Sequence, residues 1–492
     1  MSNRIDVTKN NFFAWSLYTA YRDPKTIGDW VAAKWPGKKI ENKQHLKEDL
    51  DFRIDMYIKA FKLAIDGASK CNDWVRYFVV PEFYFHSAHG PYPGLQIDGK
   101  STFEYIMENL SHRIKDTLLN SSEFNRDWVI CTGGILTTHI TDIPAFLETK
   151  EVKIRLKRLN ELYKKANDGE KHKRTSHIGL MRLKSHKIST SKDKYDEFND
   201  LVNLYRKDPL CTVRNRAGIF VYDSEKQEIS KYSIEKQAES TVDLTLGTLK
   251  DGKLDTDEQI TEWIANYPPV SILSGDNQGN GKGLNRKPGA RMPIVSYGQD
   301  VELGAEICLD HRLQRLRRTI NMTGNKPLDI QLVPSGGMQL LDYSIAGGSK
   351  GAIFNADGCD PILDKYTSEG KSIFMNKEHK ACGGMAKEIT TGVYCYSVQT
   401  LSKDLKGKPY FSHSQLSFRT NEFGPDDYVN PKGIENIGGI TFTGNLTSPV
   451  NQFLDLYDIP KIYKIDSSDK KIHEYFTAGL GEVHQYSVSS KE

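Results

Sequence analysis

The chain has 492 residues, a length that accommodates one to three domains. Its 67 basic against 64 acidic side chains leave a net charge of +3, too weak a field to mark a nucleic-acid or membrane-surface binder. With 38% hydrophobic residues, 24 Tyr and 20 Phe, there is ample apolar area for a core, and a largely disordered chain is excluded.

Met1 to Asn11 is polar and lacks the apolar centre of a signal peptide, and no run of about 18 apolar residues occurs. A soluble protein without an export signal is expected. The cysteines, Cys71, Cys131, Cys211, Cys308, Cys359, Cys382 and Cys395, are odd in number and scattered without a Cys-x-x-Cys pair. That pattern favours reduced thiols and a cytoplasmic location, with room for one reactive cysteine.

In chain order, Phe12 to Tyr18 reads as a short apolar strand. Gln44 to Ala68 carries Leu46, Leu50, Ile54, Tyr57, Ile58, Phe61, Ala64 and Ile65 at helical spacing. Trp74 to Val80 reads as a buried strand stopped by Pro81. A second amphipathic helix fits Phe103 to Leu119, and Trp128 to Cys131 is another core strand running into Gly133-Gly134. Alternation of this kind argues for an α/β domain. Residues 142–210 interrupt it with a basic polar tract, read as an insertion whose first half is a solvated surface helix. Ala217 to Tyr222, a polar turn, and Ile229 to Tyr232 form a β-hairpin. Ser274 to Arg291 is a Gly/Asn/Lys loop; Asp276 and Gly283 occupy positions where a phosphate-binding loop needs Gly and Ser or Thr, so that reading is rejected. Val301 to Leu309 is a strand, Arg312 to Ile320 a short basic helix, and Leu328–Val333, Gly351–Asn355 and Val393–Gln399 are further buried strands. Residues 1–450 are read as the main domain. Residues 451–492 are a C-terminal extension suited to packing on the domain or on a partner subunit.

Three segments place a reactive side chain just after a strand, where open α/β sheets gather their active sites. Glu82 follows Val80-Pro81 at an aromatic strand mouth, where partial desolvation suits a carboxylate to general-base work. Cys308 stands at a strand-to-helix junction, where backbone N–H groups and the helix dipole stabilise a thiolate and an oxyanion. The lysines after the hairpin, Lys231 and Lys236, have acidic neighbours and would offset an oxyanion. Taken singly, each also has a structural reading: a hydrogen-bonded acid, a core thiol, a solvent-facing lysine. His86 and His89 beside Glu82 suggest zinc, but there is no His-Glu-x-x-His motif and no downstream ligand set, so they are read as pocket-wall or surface histidines and no metal is expected.

Pro81-Glu82-Phe83, Gly133-Gly134, the hairpin from Asn215 to Lys236, and Gly304-Ala305-Glu306-Ile307-Cys308-Leu309-Asp310-His311-Arg312 together resemble the nitrilase superfamily, the carbon–nitrogen hydrolases. The resemblance covers approximately residues 11–450. It implies a four-layer α-β-β-α sandwich, often assembled into a homodimer or larger homo-oligomer, and chemistry without a metal or organic cofactor. It implies Glu82 as base, Cys308 as nucleophile, and a lysine with the Leu309 backbone N–H at the oxyanion. Family members usually carry Tyr-Arg-Lys-x-His, whereas here lysine follows Tyr232 only at Lys236. Lys184, in Leu183-Lys184-Ser185-His186, is the rival, but it lies inside the basic insertion without the Asn-led hairpin, and Lys236 is preferred. Glu239 and Glu258 are candidates for the family's assisting glutamate. His311 lies near Cys308 in sequence, but residues three apart on a turning helix need not face one another, and the resemblance supplies Glu82 as base instead.

The expected function is a cysteine-dependent amidase acting on a small non-peptide amide. The alternatives are nitrile hydrolysis or N-acyl transfer at the same site, or a catalytically silent module binding through the insertion. Neither nucleic acid nor membrane is an expected partner.

Overall fold

The computed structural model describes residues 10–19, 35–68, 75–88, 90–138, 140–142, 145, 213–236, 294–297, 301–312, 316–317, 320, 327–338, 340, 344–359, 387–389, 393–419 and 460–487. The first half contributes β1 (Asn11–Ser16), α1 (Lys43–Ala68), β2 (Arg76–Val79), β3 (Gln96–Ile97), β4 (Lys100–Ser101), α2 (Thr102–Leu119), β5 (Trp128–Cys131), β6 (Ile135–Thr138), β7 (Val213–Asp223) and β8 (Glu228–Glu235). The second contributes β9 (Ile294–Tyr297), β10 (Val301–Ala305), α3 (Leu309–Arg312), β11 (Leu328–Ser335), β12 (Gly347–Asp357), β13 (Lys387–Ile389), β14 (Val393–Lys403), β15 (Pro409–Arg419), β16 (Lys461–Lys464), α4 (Lys470–Tyr475) and β17 (Glu482–Tyr486).

Apart from the small β3–β4 ribbon, these strands build two sheets. The first runs β16-β17-β1-β2-β5-β7-β6, with β8 also paired to β7; the second runs β13-β14-β15-β12-β11-β10-β9. Each is centred on three parallel strands, β1-β2-β5 in one and β10-β11-β12 in the other, flanked by antiparallel ones. The sheets pack face to face. Period-two alternation explains how: Phe12, Tyr77, Val79, Val129 and Ile219 meet Leu303, Ile330, Leu332, Ala352, Phe354 and Leu416 between the sheets. Their neighbours Phe13, Trp15, Phe78, Val80, Trp128 and Ile130 point the other way, onto α1 and α2. A strand buried on both faces reads as a continuous apolar run, which is why β2 and β5 stand out in the sequence.

The helices obey the spacing read from the sequence. Leu46, Leu50, Ile54, Tyr57, Ile58, Phe61, Ala64 and Ile65 form the buried stripe of α1. Helix α2 opens on a capping box in which Ser101 accepts from the Glu104 N–H while the Glu104 carboxylate accepts from the Ser101 N–H. The described residues thus form two packed sheets with α1 and α2 on the outer face of the first, and no described helix is long and apolar enough to cross a membrane.

Three features differ from the sequence expectation. The helical turn after Cys308 begins at Leu309 rather than Arg312, with Leu316 and Arg317 also helical. Strands β6, β9, β13, β15, β16 and β17 carry no continuous apolar run. Most informative is β17, which pairs antiparallel with β1, from Phe12↔Tyr486 to Ser16↔Glu482, and is itself flanked by β16. Strand β17 is therefore interior to the first sheet, and β16 forms its edge. Nearly all of 142–210, the Ser274 to Arg291 loop, Lys184, His89, Glu239 and Glu258 lie outside the described residues.

Candidate active site

Three turns meet where the parallel strands of both sheets end. The first leaves β2 through Val80-Pro81 and bears Glu82, which is fully buried. Phe83, with φ of 62°, reverses the chain there. The turn is fastened at both main-chain groups: the Glu82 N–H donates to Ser335 O at 3.2 Å, and Thr19 Oγ1 donates to Glu82 O at 2.5 Å. The carboxylate is thereby held in a set direction before any charged partner is considered.

The second turn ends the β7–β8 hairpin. Lys236 follows β8, and its N–H donates to Asn215 O at 2.8 Å. Its side chain is only 2% exposed, and the ammonium lies 2.7 Å from Glu82 Oε1. Asn215 Nδ2 donates to the same Oε1 at 2.8 Å, so Asn215 positions both members of the ion pair, one through its amide and one through its carbonyl. Two desolvated charges are tolerable only with this kind of pairing and added hydrogen bonding. Lys236 Nζ also sits 5.6 Å from the centre of the Phe83 ring. Of the lysines weighed from sequence, Lys236 is brought to Glu82, whereas Lys231 lies on β8 paired across from Phe220.

Gly133-Gly134 is what lets the hairpin approach the carboxylate. Strands β5 and β6 lie end to end along one edge of β7, and the glycine pair spans the gap between them. A Cβ on Gly133, where φ is +76°, would stand 2.2 Å from Pro81 O. One on Gly134 would stand 2.7 Å from Phe83 N and 3.0 Å from both Glu82 Cγ and Asn215 Oδ1.

The third turn leaves β10 and carries Cys308. Its φ of 45° puts a non-glycine residue in the left-handed region, a conformation costing on the order of 1–3 kcal/mol that surrounding structure must impose. Here the Cys308 N–H donates to Pro334 O at 3.0 Å, and Cys308 O accepts from the His311 N–H at 2.9 Å. Glu306, two residues earlier and fully buried, fixes the turn from below. Its Oε1 meets His311 Nδ1 and Gln331 Nε2, both at 2.7 Å, and its Oε2 accepts from the Leu316 N–H at 3.0 Å. The Cys308 residue is 6% exposed. Leu309 opens α3 directly after it.

The segment after β11 joins the first and third turns. Ser335 O receives the Glu82 N–H, and its neighbour Pro334 O receives the Cys308 N–H. A Cβ placed on Gly336 would lie 3.5 Å from Glu82 Oε2 and 2.8 Å from the Phe83 ring. So Oε1 of the carboxylate is held by Asn215 and Lys236, while Oε2 faces the segment that holds the cysteine turn. Neither Asn215 as a carboxylate partner nor the Pro334–Gly336 segment was singled out from sequence. The available signal was an Asn at the head of the hairpin and a Pro-Ser-Gly-Gly stop after the apolar Leu332-Val333 end of a strand.

Two other buried thiols, Cys131 and Cys359, lie among the described residues. Cys131 is fully buried, and burial pushes its thiol up to about 12. Cys359 is buried beside Tyr18 and Tyr410. His86 packs against Trp35 with ring centres 4.8 Å apart and planes tilted by 52°, and burial drives it well below the ordinary histidine range. Among the described residues no cluster of three His, Cys, Asp or Glu side chains is gathered as a metal site.

Neither protein-family models nor curated protein sequences match the chain. Solved structures do. An amidase from Nesterenkonia sp. is 11% identical, covering 88% of this chain and 96% of its own, with a TM-score of 0.29. A Nesterenkonia AN1 amidase variant described as of the nitrilase superfamily is 10% identical, covers 87% of this chain and 96% of its own, and has a TM-score of 0.29. Another AN1 variant, carrying the acetamide moiety of fluoroacetamide on its active-site cysteine, is 10% identical with coverages of 88% and 97% and a TM-score of 0.29. Among solved structures, the chain is thus similar to amidases from Nesterenkonia, one of them described as of the nitrilase superfamily.

Proposed function

We propose that the protein is a cysteine-dependent hydrolase of a non-peptide carbon–nitrogen bond, an amidase working through a thioester, on a four-layer α-β-β-α sandwich whose outer helix layer includes the residues after Cys308. The observation that carries this reading is the buried 2.7 Å Glu82–Lys236 pair standing on the same two-residue anchor, Pro334-Ser335, that fastens the strained Cys308 turn. A core acid or a core thiol has no need of that convergence.

In this reading Glu82 takes the proton of the Cys308 thiol, and the thiolate attacks the amide carbon. The carbonyl oxygen becomes an oxyanion next to the Lys236 ammonium and the Leu309 N–H, where each such donor contributes about 3–4 kcal/mol to the transition state. Glu82 then gives its proton to the departing amine as the C–N bond breaks. A water that loses its proton to the same carboxylate attacks the thioester, releasing the acid and restoring the thiol. The substrate is a small amide; a homo-oligomer and a cytoplasmic site of action complete the proposal.

The test is turnover of a panel of small amides and nitriles by the wild type and by Cys308→Ala, with and without an added amine. The expected result is release of amine and acid by the wild type, no turnover by the variant, and an unchanged circular dichroism spectrum. Activity retained in Cys308→Ala overturns the assignment; acylated amine as the main product would redefine the enzyme as a transferase.

A further inference from the structure

The fully buried Asp357, at the end of β12, takes no part in the chemistry above, yet its carboxylate gathers the segment that joins the two halves of the site. Its Oδ2 accepts from the Met338 N–H at 2.6 Å and from Ser335 Oγ. The Gly337 N–H lies 3.0 Å from both oxygens, and Oδ1 accepts from the Cys359 N–H at 2.7 Å. Three backbone N–H groups and a hydroxyl therefore converge on one anion, a small collar closed by residues 335–338. Asn355 Nδ2 supports the same hydroxyl, donating to Ser335 Oγ and to Val333 O, each at 2.8 Å. The next residue, Gly358, donates its N–H to Ser335 O at 2.9 Å, alongside the Glu82 N–H. The titratable group facing Asp357 from β15 is His413, with Nδ1 3.9 Å from Oδ1. Burial pushes the Asp357 carboxyl above its ordinary range.

Glu82 belongs to the first sheet and Cys308 to the second; Tyr77 and Val79 of β2 share one core with Leu303 and Ala305 of β10, and beyond the strand ends the two turns are tied to one common segment. The Glu82 N–H ends on Ser335 O and the Cys308 N–H on Pro334 O. Residues 335–338 are held by the Asp357 collar, alongside Asn355 and the pairing of β11 with β12.

We propose that Asp357 is a positioning residue of the active site: by collaring residues 335–338 it sets the distance between the base-bearing turn of one sheet and the nucleophile-bearing turn of the other. This rests on the amidase reading of Glu82 and Cys308 given above. Misplacing a reacting pair by about 1 Å costs on the order of 100-fold in rate.

The test compares the full-length wild type, Asp357→Asn and Ser335→Ala by the pH dependence of iodoacetamide alkylation at Cys308, read by peptide-mapped mass spectrometry, with thermal melts run alongside. Asn keeps the shape of Asp but replaces one acceptor oxygen by a donor, while Ser335→Ala removes only the hydroxyl of the collar and serves if Asp357→Asn fails to fold. The expected result is an upward displacement of the apparent thiol pKa and a 10- to 100-fold slower alkylation at neutral pH in folded variant protein. Simple destabilisation would lower the folded fraction without moving that pKa. Wild-type rates and profile in a folded variant overturn the positioning role. Sluggish alkylation in the wild type itself, no faster than at Cys359, would instead overturn the amidase reading beneath it.

Discussion

At the scale of single residues, the account turns on two charges that are expensive to bury. Glu82 has no exposure and the Lys236 side chain 2%, so each is tolerable only because of the other and of Asn215. Lys236→Met should strand the carboxylate and lower stability by about 3–5 kcal/mol in urea unfolding, and Glu82→Gln should strand the ammonium to a similar extent. The double variant Glu82→Gln/Lys236→Met should lose clearly less than the sum, a coupling that a double-mutant cycle reads directly. Additive losses would mean that the two side chains do not act as a pair. Glu82 and Cys308 were legible in the sequence because each follows an apolar strand with a recognisable stop. Asn215 and Asp357 were not. Asn215 acts on a carboxylate 133 positions away, and an Asn heading a hairpin looks like any turn residue until the fold closes.

At the scale of elements, the site depends on how near a hairpin can come to a strand end. The glycine pair between β5 and β6 permits that approach, and Gly134 is the sharper probe because no left-handed backbone complicates it. Gly134→Ala should press a methyl against Phe83 N, Glu82 Cγ and Asn215 Oδ1, costing about 1–3 kcal/mol of stability and a larger share of turnover than its destabilisation accounts for. Turnover that tracks the folded fraction alone would argue against this tight contact. Elements were legible in proportion to their two-sided burial. Strand β5 is apolar on both faces, as is β2 beyond Arg76, whereas β15 presents Ser412, His413, Ser414, Gln415 and Ser417 as buried polar residues. Strand β17 likewise hides His484 and Gln485, and a buried polar strand looks in sequence like an exposed one.

At the scale of the whole molecule, that polar seam makes the union of the sheets sensitive to pH. His484, on β17, meets Ser414 Oγ at 2.8 Å through Nδ1 and Thr400 Oγ1 at 2.9 Å through Nε2, so it bridges the first sheet to β14 and β15 of the second. Burial lowers it below the ordinary value of 6.5, against the smaller raising effect of Glu482. The folded state holds the neutral ring while the unfolded chain takes up a proton below pH 6.5, so stability falls as pH drops through that range. One proton contributes a slope of up to about 1.4 kcal/mol per pH unit. His484→Gln should therefore show a shallower loss than the wild type between neutral pH and pH 5.5 in urea unfolding. His86 acts in the same direction and Asp49 and Asp357 in the opposite one, but equally in both proteins, so the difference isolates His484. Equal slopes would show that His484 is not held neutral between the sheets. The C-terminal residues read from sequence as an extension thus belong, from Lys461 to Tyr486, to the framework that holds the two sheets together.

The measurement that bears most directly on the central claim compares iodoacetamide labelling of every cysteine at neutral pH in the wild type and in Glu82→Gln by peptide-mapped mass spectrometry. The account predicts rapid labelling at Cys308, little at Cys131, whose thiol is pushed up to about 12, and a marked slowing at Cys308 alone in the variant. Labelling of Cys308 no faster than that of the other cysteines, or unaffected by Glu82→Gln, would contradict a base-activated nucleophile at the junction of the two sheets.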